Sequence, residues 1–148
     1  GIAQIRTGDQ LVITQPSGMP RSRPDVVPGV DLVIDDWKDT CTAGGCNYLD
    51  TAGVTRVPVV QLTGATIRPG TYMGGMARGP GAFDMHTTFA KNFPLRGATK
   101  LQVRADIFNV WNRKNYNNPN QSMTSADFGR ITGAGRPRVF QLGARFTF

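Results

Sequence analysis

Glutamate is missing from this chain altogether: all ten of its acidic residues are aspartate. A helical protein draws freely on Glu, a good helix former, and far less on Asp. With 18 Gly and 10 Pro among 148 residues, long helices are excluded and strands with long loops are expected. Charge is sparse at 18%, and there is a single histidine, His86. Ser122, Thr124 and Ser125 are loop residues with no base attached, so no nucleophile–base–orienter set assembles and no enzyme is expected. No run of about 18 apolar residues exists, which excludes a membrane-spanning helix. No signal peptide is visible either. The chain starts at Gly1 without Met, directly in strand-like sequence, so its natural start is expected upstream.

What is present is alternation. Four stretches, near residues 2–14, 82–93, 99–111 and 137–148, place apolar side chains on one face and polar ones on the other, the period of a half-buried strand. In the first, Ala3, Ile5, Thr7, Leu11 and Ile13 oppose Gln4, Arg6 and Gln10. In the second, Phe83, Met85, Thr87, Phe89 and Phe93 oppose Asp84, His86, Thr88 and Asn92, with Lys91 interrupting the apolar side. In the third, Leu101, Val103, Ala105 and Ile107 oppose Lys100, Gln102, Arg104 and Asp106. The pattern slips at Phe108, where a bulge or a change of surroundings is expected. The last carries Phe140, Leu142, Ala144, Phe146 and Phe148 against Gln141, Gly143, Arg145 and Thr147.

The connections are unequal. "PLRGA" is a tight turn between the second and third strands. Long loops, 15–81 and 112–136, join the others, and loops of that length carry function or are disordered. Short turns at one end and long loops at the other is the plan of outer-membrane barrels, and the strand lengths suit a tilted span of about 9–11 residues. The polar face would gather Arg6, Asp84, His86, Gln102, Arg104, Asp106, Gln141 and Arg145. A dry core would not accept so many charges unpaired. A wet or plugged lumen accepts them, and a solvated outer face of a soluble sheet is the alternative.

The net charge of +7 is uneven. Residues 15–80 hold six basic and six acidic residues, whereas the rest hold eleven and four. The basic residues are scattered through strands and form no dense patch, so nucleic acid is not the expected partner.

Taken together and in order, "RGPGAFDMHTTFAKNFPL", "LQVRADIFNVWNRKNYNNPN" and "FGRITGAGRPRVFQLGARFTF" resemble the C-terminal end of TonB-dependent outer-membrane receptors. The group is the large type with a carboxypeptidase-regulatory-like N-terminal domain. "RPDVVPG" and "CNYLDTAG" fit an extracellular loop of that group. The resemblance implies a barrel of about 22 strands, an N-terminal plug and a box that engages TonB, of which this chain would supply the last four strands. It implies outer-membrane lipid, the rest of the barrel, the plug, TonB and the barrel assembly machinery as partners. Phe146 and Phe148 would be the assembly signal. The C-terminus and the turn at 94–98 would be periplasmic, and the two long loops extracellular. Lumen residues Arg6, Asp84, His86, Arg104, Asp106 and Arg145 would meet plug or water. Trp37, Tyr48, Tyr72, Tyr116 and Asn118 are the candidate ligand contacts.

Four strands close no barrel, and open edges are not tolerated in lipid. Further strands, another chain or a different fold must supply what is missing. The rival expectation is a structural or binding module that pairs its open edges with another chain or with itself.

Three loop motifs complete the inventory. Cys41 and Cys46 in "CTAGGC" favour a disulfide in an exported protein, with half a metal site as the alternative. Asp31, Asp35, Asp36 and Asp39 in "DLVIDDWKD" supply hard oxygen ligands for Ca²⁺ but lack the EF-hand spacing, and solvated acids are the simpler expectation. Asn112, Asn115, Asn117, Asn118 and Asn120 around Tyr116 suit either sugar or peptide recognition or turn chemistry.

Overall fold

The computed structural model describes residues 1–17, 22–97 and 99–148. In chain order the strands are β1 (Ile2–Arg6), β2 (Asp25–Val26), β3 (Cys46–Asn47), β4 (Val54–Thr55), β5 (Ala82–Pro94), β6 (Lys100–Phe108), β7 (Arg130–Ile131) and β8 (Val139–Thr147), with two short 3₁₀ turns at Trp37–Thr40 and Thr51–Gly53. They divide into two compact units. The first comprises Gly1–Thr7, Gly81–Asn115 and Gly135–Phe148, the second Gly8–Pro80 and Tyr116–Ala134.

The first unit is one antiparallel sheet of order β1-β5-β6-β8, open at both edges. Residues directly opposite across an antiparallel pair share a face. The register sets Phe89 against Ala105 and Ala105 against Leu142, and Phe93 against Leu101 and Leu101 against Phe146. Ala3 and Ile5 join Met85 and Phe83 on that same side. One face is therefore apolar across all four strands, broken by a single charge, Lys91 opposite Val103. That face is bare: Phe89 is 62% exposed, Phe140 63% and Leu142 80%. An area this large and this apolar requires a covering.

β5 and β6 are joined by residues 95–99, closed by a hydrogen bond from Leu95 N–H to the Thr99 carbonyl (2.9 Å). Gly97 takes φ +71° there, a left-handed conformation that favours glycine. Both long excursions of the chain, 7–81 and 109–138, leave from the opposite end of the sheet, because all neighbours are antiparallel. Towards β8, β6 runs in register to Phe108 opposite Val139, whereas on the β5 side Val110 N–H bonds the Met85 carbonyl (2.9 Å), one residue out of the Thr87–Ile107 register, the slip expected at Phe108. The strand then simply ends, with Asn109 and Asn112 both at φ +50°.

The first strand departs from expectation. It stops at Arg6, and Leu11 and Ile13, expected to continue it, are buried at 0% and 1% in the core of the second unit. Alternation in 2–14 reflects two environments in succession rather than one strand.

The expected loops 15–81 and 112–136 also differ, because they fold. Leu11, Ile13, Tyr48, Leu49, Tyr72 and Ile131 form a core, with Trp37, Tyr116 and Phe128 packed against it. β2 pairs with β4 and β3 with β7, each antiparallel. Buried Gln15 serves as an internal staple. Its amide donates to the Val57 carbonyl and the Ser22 hydroxyl (both 3.2 Å), and its oxygen accepts from Val57 N–H (2.8 Å). A buried amide satisfied on both sides costs little and ties positions 42 residues apart.

Candidate functional site

Two regions carry the chemistry. The first is the polar face of the sheet. Arg104 Nε lies 2.8 Å from Asp106 Oδ2, and the Thr88 hydroxyl donates to Asp106 Oδ1 (2.6 Å). Nearer the short turn, Gln102 donates to Asn92 (2.9 Å). At the other end Asp84 Oδ1 accepts from the Asn115 amide (2.8 Å), and His86 Nδ1 accepts from Asn109 N–H (3.2 Å). The His86 ring stands 5.5 Å from Phe108. Arg6 and Arg145 are exposed on this same side, Arg145 opposite Gln102. All six expected lumen residues thus fall on one face; Asp106 is paired with Arg104 and bonded across strands by Thr88, and Arg6 and Arg145 are open to solvent.

Asparagines that the sequence suggested for ligand binding mostly hold the chain to itself. The Asn115 side chain donates to the Phe83 carbonyl and accepts from Phe83 N–H (both 3.0 Å). Asn120 bonds Ser125 and receives Ser122 N–H (both 3.0 Å). Asn109 is 4% exposed and did not stand out in the sequence, yet it organises the end of the sheet. Its signal is the left-handed backbone that Asn adopts more readily than other non-glycine residues.

The second region is the folded excursion. Cys41 and Cys46 form the expected disulfide. A two-residue turn within it pairs Thr42 with Gly45 through both backbone hydrogen bonds (2.9 and 3.1 Å). Gly45 sits at φ +117°, and a Cβ there would come within 2.5 Å of the Ile131 carbonyl, so the turn packs directly on β7.

Trp37 stands edge-on to Tyr48 (5.1 Å) and to Tyr116 (4.8 Å), a three-ring cluster. Trp37 and Tyr116 are half-buried, whereas Tyr48 and Tyr72 are buried at 5% and 0%. The Tyr48 hydroxyl donates to the Arg78 carbonyl (2.6 Å) and the Tyr72 hydroxyl to the Leu11 carbonyl (2.8 Å). Burial pushes both phenols above their ordinary range, opposed at Tyr72 by a backbone hydrogen bond at Ala77. Tyr48 and Tyr72 therefore anchor the core and are withdrawn as ligand contacts, since no surface of Tyr72 is left to touch one. Asn118 is exposed, and its amide donates to Asp9 (3.1 Å).

The four aspartates Asp31, Asp35, Asp36 and Asp39 are exposed. Among the described residues no three acidic, His or Cys side chains converge on a point that would hold a metal ion. Asp31 and Asp35 instead border an open cleft of about 500 Å³ walled by Val26, Val30, Leu32, Val33 and Met76. Beside it Asp25 forms a two-pronged pair with Arg68 (2.8 and 2.6 Å), and Thr71 N–H donates to the same carboxylate (3.1 Å). The guanidinium, foremost, holds the Asp25 carboxyl below its ordinary range.

At the C-terminus Phe146 and Phe148 lie 6.2 Å apart, and Phe148 is 95% exposed. Compared with known proteins, residues 1–141 match the family model described as "Outer membrane beta barrel domain". No curated protein and no solved structure matches the chain.

Proposed function

The chain belongs to the outer membrane beta barrel domain family, and from that premise we propose that it forms part of the wall and the ligand-capturing outer portion of a TonB-dependent receptor. Its place is the bacterial outer membrane and its sheet is barrel wall. The finer reading is supported by one observation above others. Both long excursions leave the same end of the sheet, and they fold into a cored, disulfide-bonded unit rather than hanging as loops. Such a unit suits capture of a ligand outside the cell. The lumen face, with Arg6, Asp84, Arg104 and Asp106, suits contact with a plug that energised TonB displaces. The chain's own role is binding and guidance, without covalent chemistry. Trp37 and Tyr116, half-buried in the same unit, are the ligand contacts this reading retains.

The test uses the natural protein in intact cells. Leu62→Cys, at a position 94% exposed in the second unit, should react with a membrane-impermeant maleimide. Leu95→Cys, in the short turn, should react only after the outer membrane is permeabilised. Cross-linking to TonB should accompany the first pattern. Reversed labelling refutes the orientation, and correct labelling without a TonB cross-link leaves a barrel of another kind.

Strand addition remains the second reading, favoured by the free outer edges of β1 and β8. A purified particle containing several copies of this chain would support it.

A further inference from the structure

The end of the sheet from which the long excursions leave carries a concentration of positive charge. Segments 109–115 and 135–140 hold Arg113, Lys114, Arg136 and Arg138 and no acid. All four are exposed. Two asparagines bring the segments together. The Asn109 amide donates to the Arg113 carbonyl (2.9 Å) and to the Arg136 carbonyl (3.1 Å), and its oxygen accepts from Arg113 N–H (2.9 Å). The Asn112 oxygen accepts from Arg138 N–H (2.9 Å). Like charges repel, so holding them side by side requires this clasp, and the left-handed backbone at Asn109 and Asn112 is part of it.

The side chains have a direction as well. Arg113 lies over the Phe83 ring at 5.9 Å and Arg138 over the Phe140 ring at 5.5 Å. Phe83 and Phe140 both belong to the apolar face. Each arginine thus sets its guanidinium over a ring at the margin of the lipid-facing band, at the level where hydrocarbon gives way to headgroups. A guanidinium there meets phosphate oxygens in a two-pronged geometry.

We propose that Arg113 and Arg138, with Lys114 and Arg136, form a phosphate-binding site on the outside of the barrel rim for a phosphorylated glycolipid of the outer leaflet. Acyl chains would lie along Phe83, Ile5 and Phe140, and the phosphates would meet the cations. The proposal rests on the orientation given above, which places this rim outside; the maleimide labelling tests that orientation independently.

The probe is bis-phosphorylated lipid A, added to the natural protein after delipidation in alkyl maltoside, with retention measured by native mass spectrometry. The double variant Arg113→Gln/Arg138→Gln should bind at least about tenfold more weakly. Arg96→Gln, in the short turn at the opposite end, should bind as the parent does. Dephosphorylated lipid A should be retained as poorly by the parent as lipid A is by the double variant, and this arm needs no variant to fold. Equal binding by parent and double variant, equal binding of the dephosphorylated probe, or preference for phosphatidylglycerol over lipid A would each overturn the assignment.

Discussion

Placing a charge in the middle of the apolar face separates a lipid-facing wall from every other arrangement. Ala105 is the natural choice. Its rung, Phe89–Ala105–Leu142, crosses three strands. On β5, Phe89 stands six residues from Phe83 and four from Phe93. At about 3.3 Å per residue and a tilt near 40°, those separations are about 15 Å and about 10 Å along the membrane normal. Ala105 therefore lies near the centre of a band about 25 Å tall. Arg at that depth costs about 2–4 kcal/mol, falling to about 0–1 kcal/mol at the margins. The native charge on this face, Lys91, respects the rule by standing two residues from Phe93, where its stem reaches the headgroups. Ala105→Arg should thus lower the folded-to-unfolded ratio roughly 30- to 1,000-fold, at about 1.4 kcal/mol per factor of ten. Gln141→Arg, one rung away on the other face and opposite Asp106, should change it by less than about 0.5 kcal/mol. Urea unfolding of the natural protein in phosphatidylcholine vesicles, followed by tryptophan fluorescence, measures both. Equal costs for the two substitutions would refute the assignment of faces.

Other perturbations act on the second unit. Replacing both Cys41 and Cys46 by Ala should cost about 2 kcal/mol from loop closure alone, seen as a lower thermal midpoint that reductant no longer shifts. Tyr72→Phe strands the Leu11 carbonyl in the core and should cost about 1–2 kcal/mol in chemical denaturation, while Tyr72→Ala should cost about 3–5 kcal/mol. Tyr48 and Tyr72 have phenols raised above 10.0 in the folded state. Their contribution is therefore present below that pH and lost as pH rises through the raised values, so spectroscopic titration should show these two ionising together with unfolding of the unit. Asp25 is lowered from 3.8, so the Arg68 pair contributes above that pH and fades as pH falls through the lowered value. The stability gap between parent and Asp25→Asn, measured by urea midpoints, should accordingly close in acid.

The sheet was legible because its physics is local. Alternation with period two is written residue by residue, and the faces of β5, β6 and β8 follow from it. The end of β1 was not legible, since Leu11 and Ile13 keep the same parity while passing from a membrane face to a protein core. Nor was the second unit. Its core joins Tyr48 and Leu49 to Ile131 across a long separation, and such contacts leave no periodic trace. Aromatic loop residues resemble ligand contacts in a sequence, yet Tyr48 and Tyr72 are distinguished from Trp37 and Tyr116 only by how deeply they pack. The pairing of Cys41 with Cys46 was readable because the two lie so close in the chain. For the asparagines, turn chemistry and ligand chemistry draw on the same hydrogen-bonding groups, and only the partners decide between them.

Because Gly8–Pro80 and Tyr116–Ala134 contribute to a single core, the two excursions are not independently inherited parts. β3 finds its partner in β7, and Tyr48 and Leu49 N–H both bond the Gly129 carbonyl (2.9 Å). A recombination that exchanged one excursion between relatives would leave half an interior facing a foreign one. Diversification of this outer portion must proceed by paired change at positions such as 46–49 and 129–131, or by transfer of both segments at once. A chimaera carrying both should therefore fold where either single exchange does not.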